Sequence, residues 1–144
     1  MSEKSEPNFR NEVAKLFRML GYQAKSPAIV RGRSGAYHEV DIVAESGEDV
    51  LERLLVVKAK DYHEDPFLRL DEVLGFWAQV EDVGADRGII VTTCGMEKST
   101  IEFASYYGIR IIEGRDFEEL RWKAVKQQTD RALRDLGESP APGS

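Results

Sequence analysis

The sequence predicts an α/β fold in which a mixed central sheet is flanked by helices on its faces. A length of 144 residues suits one domain with a core of its own. The apolar spacing changes along the chain between the three- and four-residue period of helices and the alternation of strands. The resulting element order is α-β-β-β-α-β-α-β-α, which is typical of a mixed sheet covered by helices. We expect a flexible N-terminus over residues 1–7, a single domain over 8–136 and a disordered tail over 137–144.

The first predicted helix begins at Pro7 and ends at Gly21. Proline is tolerated in the first helical turn, and glycine often follows the last one. Between them runs one apolar stripe at helical spacing, formed by Val13, Leu16, Phe17 and Leu20. A first strand over 22–30 is predicted to be irregular because Pro27 interrupts it.

Two further strands are predicted after the flexible basic turn at residues 31–35. In the strand 37–45 the alternation predicts two faces, namely Val40, Ile42 and Ala44 against Glu39, Asp41 and Val43. A loop at 46–49 leads into the strand 50–60. There Leu55, Val57 and Ala59 share one face, and Leu54, Val56, Lys58 and Lys60 share the other.

The second half of the chain alternates helices and strands. We predict helices over 66–83, 97–107 and 115–136, and strands over 87–93 and 109–112. The expected buried side of the first of these helices consists of Leu70, Val73, Leu74, Trp77 and Val80.

The charge pattern says where a polyanion would bind. The net charge is −6, but residues 1–60 carry ten basic and nine acidic side chains, whereas 61–144 carry ten and seventeen. Phosphate contacts need lysine and arginine, so a nucleic acid would meet the N-terminal half. Ordinary surface variation is the alternative explanation.

The composition also narrows the cellular compartment in which the protein is expected. The sequence has no apolar run approaching the ~20 residues of a membrane span, and its N-terminus lacks the apolar stretch of a signal peptide. Cys94 is the single cysteine, so an internal disulfide is impossible. We therefore expect a cytoplasmic protein without membrane contact.

Charged residues in the predicted strands mark a candidate site. Asp41 lies within an apolar strand, and Lys58 and Lys60 share one face of the next. If these strands pair, a carboxylate and two ammonium groups converge on one face of the sheet, where unpaired charges would be costly. The alternative is a structural ion pair at a strand end.

Four segments together resemble a known family. They are SGAYHEVDIVA from Ser34, LLVVKAKDY from Leu54, GADRGIIVTT from Gly84 and ASYYGIRIIEG from Ala104. In order and spacing they are similar to the Mrr-like and archaeal Holliday junction resolvase-like branch of the PD-(D/E)xK nuclease superfamily. The resemblance implies a restriction endonuclease-like αβββαβ core.

The resemblance also implies an activity and a site. It implies a DNA endonuclease that depends on Mg²⁺ or Mn²⁺, with Asp41 as metal ligand and Lys60 as catalytic lysine. The carbonyl of Ala59 would be a further ligand, and Glu12 would reach the metal from the first helix, often through water. Such hard cations prefer carboxylate and carbonyl oxygens.

One residue departs from the family pattern. Lys58 stands where the family has an acidic or amide residue, which places it in the candidate catalytic set with a charge opposed to cation binding. Lys58 could instead fill the cation's place. The missing acid could come from Asp71 or Glu72 in the following helix, whose alternative role is a solvated first turn, or from Glu39.

Two functions follow as expectations. The first is a metal-dependent endonuclease with a degenerate site; the second is a catalytically inactive nuclease-fold module that binds DNA or a protein partner. Duplex or branched DNA would contact Lys25, Arg31, Arg33, Ser34 and His38. A homodimer is expected, because cutting two strands takes two sites related by symmetry. An unrelated α/β domain with a structural Asp41–Lys60 pair is a third alternative.

Overall fold

The computed structural model describes residues 7–47 and 53–137. Most of the predicted flexible N-terminus, most of the predicted tail and part of the loop before the third strand lie outside these residues. The elements are α1 (Pro7–Met19), β1 (Gln23–Lys25), β2 (Ala28–Arg31), β3 (Tyr37–Val40), β4 (Ile42–Glu45), β5 (Leu54–Lys60), β6 (Phe67–Leu68), α2 (Leu70–Val83), β7 (Arg87–Thr92), β8 (Gly95–Met96), α3 (Lys98–Tyr106), β9 (Arg110–Glu113) and α4 (Gly114–Asp135).

A five-stranded mixed sheet forms the centre, in the order β1-β4-β5-β7-β9. β1, β4 and β5 pair antiparallel, whereas β5, β7 and β9 pair parallel. β5 lies in the middle and is almost wholly buried, as its apolar sequence requires. The predicted mixed α/β architecture is therefore confirmed.

Helices cover both faces of the sheet. α1 and α4 pack on one face, over a cluster that includes Val13, Leu16, Phe17, Ile42, Leu55, Val57, Val91 and Phe117. α2 and α3 pack on the other, over a cluster that includes Val40, Val56, Val73, Phe76, Ile90 and Ala104. The predicted division of β5 into two faces is confirmed, because Val57 and Val56 belong to different clusters. No helix in the described ranges is long and apolar enough to span a membrane.

The predicted strand 37–45 is in fact two strands separated at Asp41. β3 pairs with β2 in a hairpin outside the main sheet, while β4 pairs with β1 and β5. Val40 consequently packs on the α2 side of the sheet and Ile42 on the α1 side. The prediction that they share a face was wrong, because the chain changes sheets between them and the alternation is broken. Asp41 is left at the junction.

The second helix begins at Leu70, and the predicted start at residue 66 was wrong. Phe67 and Leu68 instead pair in parallel with Gly95 and Met96. The Glu72 carboxylate accepts the Arg69 backbone N–H at 3.0 Å and closes the first turn there.

The buried side of α2 is also shifted from the predicted one. Val73, Phe76 and Val80 are buried, whereas Leu70 and Leu74 are 41% and 48% exposed. Gly88 of β7 lies beneath the helix, where an added Cβ would be 2.6 Å from the Val80 side chain. The close approach of α2 to the sheet at this glycine selects which side of the helix is buried. The elements predicted from residue 87 onward agree with β7, α3, β9 and α4 within two residues. The single strand predicted over 22–30 is instead two short strands, β1 and β2, which belong to different sheets. Of the strand predicted over 50–60, residues 54–60 form β5, and residues 50–52 lie outside the described residues.

Candidate active site

Asp41 directly precedes β4, at the end of the stretch in which β4 pairs with β5. Ile42 pairs with Val57, so Asp41 is the next position along, beside Lys58. Its carboxylate accepts the Ala59 backbone N–H at 2.9 Å. The two strand segments that the sequence singles out are therefore in contact.

A small cavity of about 150 Å³ opens at this junction. It lies between the strands and α2, and its lining consists of Glu39, Val40, Asp41, Val57, Lys58, Phe76 and Gln79. Lys58 is half-buried. Within residues 7–47 and 53–137, no hydrogen bond or salt bridge joins its ammonium group to another residue. The cavity lining thus combines two carboxylates with a lysine side chain.

Lys60 has the opposite environment, although it lies two residues away on the same face. It is only 4% exposed. Its ammonium donates to both oxygens of Glu72 at 2.7 Å and to the Phe67 carbonyl at 2.9 Å, and it lies 3.4 Å from Asp65. Burial alone would lower the pKa of Lys60, but the hydrogen bond and charge of Glu72, together with Asp65, outweigh burial and raise the pKa above its usual value. The ammonium stays charged and is held inside the protein.

The three candidates for the missing acid separate in space. Glu39 lines the cavity with Asp41. Glu72 forms an ion pair with Lys60. Asp71, its neighbour, lines a different pocket that includes Leu68, Arg69 and Glu97. Only Glu39 shares the Asp41 cavity, and the roles of all three stay predictions.

Glu64 is a further carboxylate that sequence reasoning missed. Partial burial raises the pKa of Glu64, and the charge of Asp41 raises it further, while Lys60 and Lys58 lower it. Its charge therefore interacts with all three groups of the candidate site. The signal in the sequence is the acidic stretch directly after Lys60, which includes Asp61, Glu64 and Asp65.

Glu12 lies at another cavity. Its carboxylate pairs with Arg121 at 3.1 Å and lines a space of about 560 Å³ with Asp61, His63 and Thr93. The structure does not bring Glu12 into the cavity of Asp41. Its proposed contact with a metal stays a prediction.

The side chains available as ligands limit how a metal ion could be coordinated. In the described part of the chain, no three His, Cys, Asp or Glu side chains gather into a group that could hold an ion. Mg²⁺, however, commonly keeps several waters and uses one or two protein carboxylates together with substrate phosphates. Asp41 and Glu39 at one cavity fit that mode, whereas a cage made of protein ligands alone does not fit.

Three of the five predicted DNA-contacting residues are bound by the C-terminal end of α2. The Asp82 carboxylate accepts the Ser34 N–H at 2.9 Å and the Ser34 hydroxyl at 2.7 Å, and lies 2.7 Å from His38 Nε2. Arg33 donates to the carbonyls of Asp82 and Glu81. His38 and then Ser34 hold the pKa of Asp82 down at about 2. We call these contacts the Asp82 clamp.

Two of the predicted DNA contacts take no part in the clamp. Lys25 is exposed on β1, and Arg31 is exposed at the end of β2 with its guanidinium 5.8 Å from the Tyr37 ring centre. Ser34 and His38 would have to break the clamp to offer the same atoms to a phosphate. The sequence pattern around Gly32 gives no sign of Asp82, which lies 48 residues beyond Ser34.

Solved structures share this architecture. The chain is similar to the protein of unknown function AF1548, with 26% identity, a TM-score of 0.59, and coverage of 72% of this chain and 56% of that one. It is also similar in fold to the DNA modification-dependent restriction endonuclease AspBHI, with 16% identity, a TM-score of 0.56, and coverage of 91% and 35%.

A further match in fold is Can2 from Sulfobacillus thermosulfidooxidans, solved with cyclic tetra-adenylate. It has 14% identity, a TM-score of 0.55, and coverage of 82% of this chain and 34% of that one. This chain therefore spans a little over half of AF1548 and about a third of the other two. A search of curated proteins gave no match.

The sequence itself decides the family. The restriction endonuclease model Mrr_cat matches residues 1–121, which include both strands of the candidate site and the helices that cover them. Together with the mixed sheet flanked by helices, this match shows that the chain has a restriction endonuclease-like nuclease fold and belongs to the Mrr_cat restriction endonuclease family.

Proposed function

We propose that this chain is a metal-dependent DNA endonuclease whose active site is the Asp41 cavity. The observation that carries the proposal is the convergence of Asp41, Glu39 and Lys58 on one cavity, at the strand junction where the family resemblance expects catalysis. Metal-dependent phosphodiester hydrolysis uses a carboxylate-held cation and a positive group near the phosphate, and both kinds of side chain are present there.

Asp41 and Glu39 would hold Mg²⁺ or Mn²⁺, and the ion, when bound, would acidify a water and neutralise charge on the phosphate. The Asp41 carboxylate is oriented by the Ala59 N–H, which fixes one of its oxygens against β5. A fixed carboxylate favours a defined site, because less freedom is lost on binding.

Lys58 takes the phosphate-facing position in this proposal. The Lys58 side chain lines the cavity and has no salt bridge to the described residues, so a phosphate oxygen would gain a charge-assisted hydrogen bond without breaking an existing salt bridge. The Lys60 ammonium is already bound to Glu72, the Phe67 carbonyl and Asp65. Lys60 is therefore a positioning residue that ties the end of β5 to the start of α2.

The test is cleavage of duplex and four-way-junction DNA with Mg²⁺ and Mn²⁺. We expect metal-dependent cutting, loss of cutting in Asp41→Asn, and a fall of at least tenfold in Glu39→Gln and in Lys58→Ala. Loss of one hydrogen bond to a charged group costs about 1.5–3 kcal/mol, which corresponds to a factor of ten or more.

Asp71→Asn is the matched control for these variants. Asp71 is a carboxylate at a different pocket, so its loss should leave the rate unchanged. Cutting that survives in Asp41→Asn would contradict the proposal. Equal losses in Asp71→Asn and Glu39→Gln would contradict the choice of Glu39 as the replacement acid.

An inactive DNA-binding module is the second candidate, and Lys58 is the observation that favours it. An ammonium group beside Asp41 opposes cation binding by charge repulsion. Under this alternative the natural protein binds DNA without cutting, and Lys58→Glu raises its affinity for Mn²⁺ in calorimetry. If Lys58 instead serves the phosphate, Lys58→Glu lowers DNA affinity and cutting together.

Both candidates share a DNA surface at the exposed cations. Lys25→Ala with Arg31→Ala should weaken binding of duplex DNA and make its salt dependence less steep, since each phosphate contact adds roughly one unit to the slope. Lys98→Ala is the control, because this exposed lysine lies on α3, away from the N-terminal strands. An unchanged slope in the double variant would place the DNA path elsewhere.

A further inference from the structure

The C-terminal half of α4 extends beyond the packed core. Ala124 is the last buried residue of the helix, at 2% exposure. From Val125 to Gly137, no described side chain is classed as buried. Large apolar side chains are among them, and Trp122, Val125 and Leu136 are 68%, 44% and 77% exposed. A helix end without packing is marginal in water, so this segment gains from a partner.

Four exposed apolar side chains and one threonine follow a heptad pattern. Successive steps of three, four, three and four residues join Trp122, Val125, Thr129, Ala132 and Leu136. This spacing places all five on one stripe of the helix, as in the seam of a two-stranded helix pair. We call this stripe the α4 seam.

We propose that the α4 seam docks antiparallel against the α4 seam of a second copy of this chain. The charges beside the seam favour this occupant and this direction. In a register centred on residue 127, an antiparallel pair sets Arg121 opposite Asp135 of the second copy, and twofold symmetry repeats the attraction. A parallel pair would set Arg121 opposite Lys126 twice, which is repulsive.

Side-chain size supports the same register. Trp122, the largest residue of the seam, lies opposite Ala132, the smallest, and Val125 lies opposite Thr129. Large residues against small ones fill the space between helices evenly. The one like-charged contact is Lys126 with its own copy, at the solvent-exposed rim, where long side chains turn away from each other into water.

The seam is short, so the pair is concentration-dependent. In this register the two seams overlap from Trp122 to Ala132, which is about 15 Å at the helical rise of ~1.5 Å per residue. So short an overlap gives a weak dimer rather than an obligate one. This dimer would put two candidate sites on one particle.

Sedimentation of the full chain, without DNA or metal, tests the proposal. We expect a monomer–dimer equilibrium, with Asp135→Arg and Trp122→Asp each weakening association at least tenfold. Trp122 is 68% exposed in the single chain, so its replacement does not threaten the fold. Arg131→Asp reverses a charge at an exposed position outside the seam and should leave association unchanged.

The charge-swapped variant tests the direction. Arg121→Asp with Asp135→Arg should restore association, because the antiparallel pair then carries the same attraction reversed. Circular dichroism checks folding, since Arg121 also contacts Glu12 and Glu118. In a Trp77→Phe background, Trp122 emission should shift to shorter wavelength with dimerisation.

A monomer at all concentrations would overturn the proposal, as would a dimer insensitive to Asp135→Arg. A Trp122 shift that occurs only with DNA would assign the seam to DNA and overturn self-pairing. None of these measurements involves cleavage, so they remain decisive if the endonuclease proposal fails.

Discussion

Lys58 and Lys60 have the same chemistry in one strand and opposite environments. Lys58 faces a cavity, whereas Lys60 is buried at 4% exposure and bound by Glu72. A buried ion pair contributes little net stability when formed, but removal of one partner leaves an uncompensated charge. Lys60 is therefore the residue whose loss the fold should tolerate least within the site.

We predict that Lys60→Met destabilises the protein by about 2–3 kcal/mol, measured by urea unfolding. The effect stays below the ~3–5 kcal/mol of a fully buried pair, because Glu72 and Asp65 keep 28% and 29% of their side-chain surface exposed. Water partly solvates the carboxylates that are left behind.

Lys98→Met is the control for this prediction. The Lys98 ammonium lies 3.7 Å from Glu102 in a pair whose side chains are 89% and 64% exposed. Such a pair contributes less than ~0.5 kcal/mol. Similar losses in the two variants would show that Lys60 is not an internal anchor.

At the level of elements, the β2–β3 hairpin is fixed by α2 rather than by the main sheet. The hairpin leads directly into Asp41, so the Asp82 clamp helps to set where β4 and the candidate site begin. Gly32 makes the clamp possible, because a Cβ there would lie in the space of the Asp82 carboxylate, with Asp82 Cγ only 2.5 Å away. The hairpin and the helix can approach only at a residue without a side chain.

Gly32→Ala should therefore destabilise the protein by about 1–3 kcal/mol, the usual cost of overpacking a tight contact. Gly75→Ala is the matched control on α2, where an added Cβ meets nothing within 4 Å. It should stabilise the helix by up to ~1 kcal/mol. We expect the unfolding temperature to fall in Gly32→Ala and to rise in Gly75→Ala. An unchanged unfolding temperature in Gly32→Ala would contradict the clamp.

For the whole molecule, two carboxylates shape the response to acid. Asp65 has a pKa of about 2, held down by the Phe67 N–H and by Arg69, and Asp82 has one of about 2, held down by His38 and Ser34. Both lie below the usual 3.8 of aspartate. Between about pH 4 and 2 the unfolded chain therefore binds more protons than the folded one, and stability falls as pH falls.

The double variant Asp65→Asn with Asp82→Asn should flatten this part of the stability curve. At neutral pH it should be less stable than the natural protein, and the gap should narrow as the pH falls from about 4 to 2. Chemical unfolding at a series of pH values measures both curves. Parallel curves would show that these hydrogen bonds do not persist in solution.

The sequence alone determined the mixed sheet, the two faces of β5 and the segments that carry the family resemblance. These features depend on local periodicity and on residues close together in the chain, such as Lys58, Ala59 and Lys60. Local patterns failed where the chain leaves one sheet for another. Val40 therefore did not share a face with Ile42, and the second helix did not start at residue 66.

Only the tertiary structure decided the environment of each candidate group. It joined Glu72 to Lys60, left Lys58 at the cavity, and gathered Ser34 and His38 around Asp82. These contacts join residues 12 to 48 positions apart in the chain. Packing of α2 against the sheet brings them together, and the free energy of burying a charge then decides which partner it keeps.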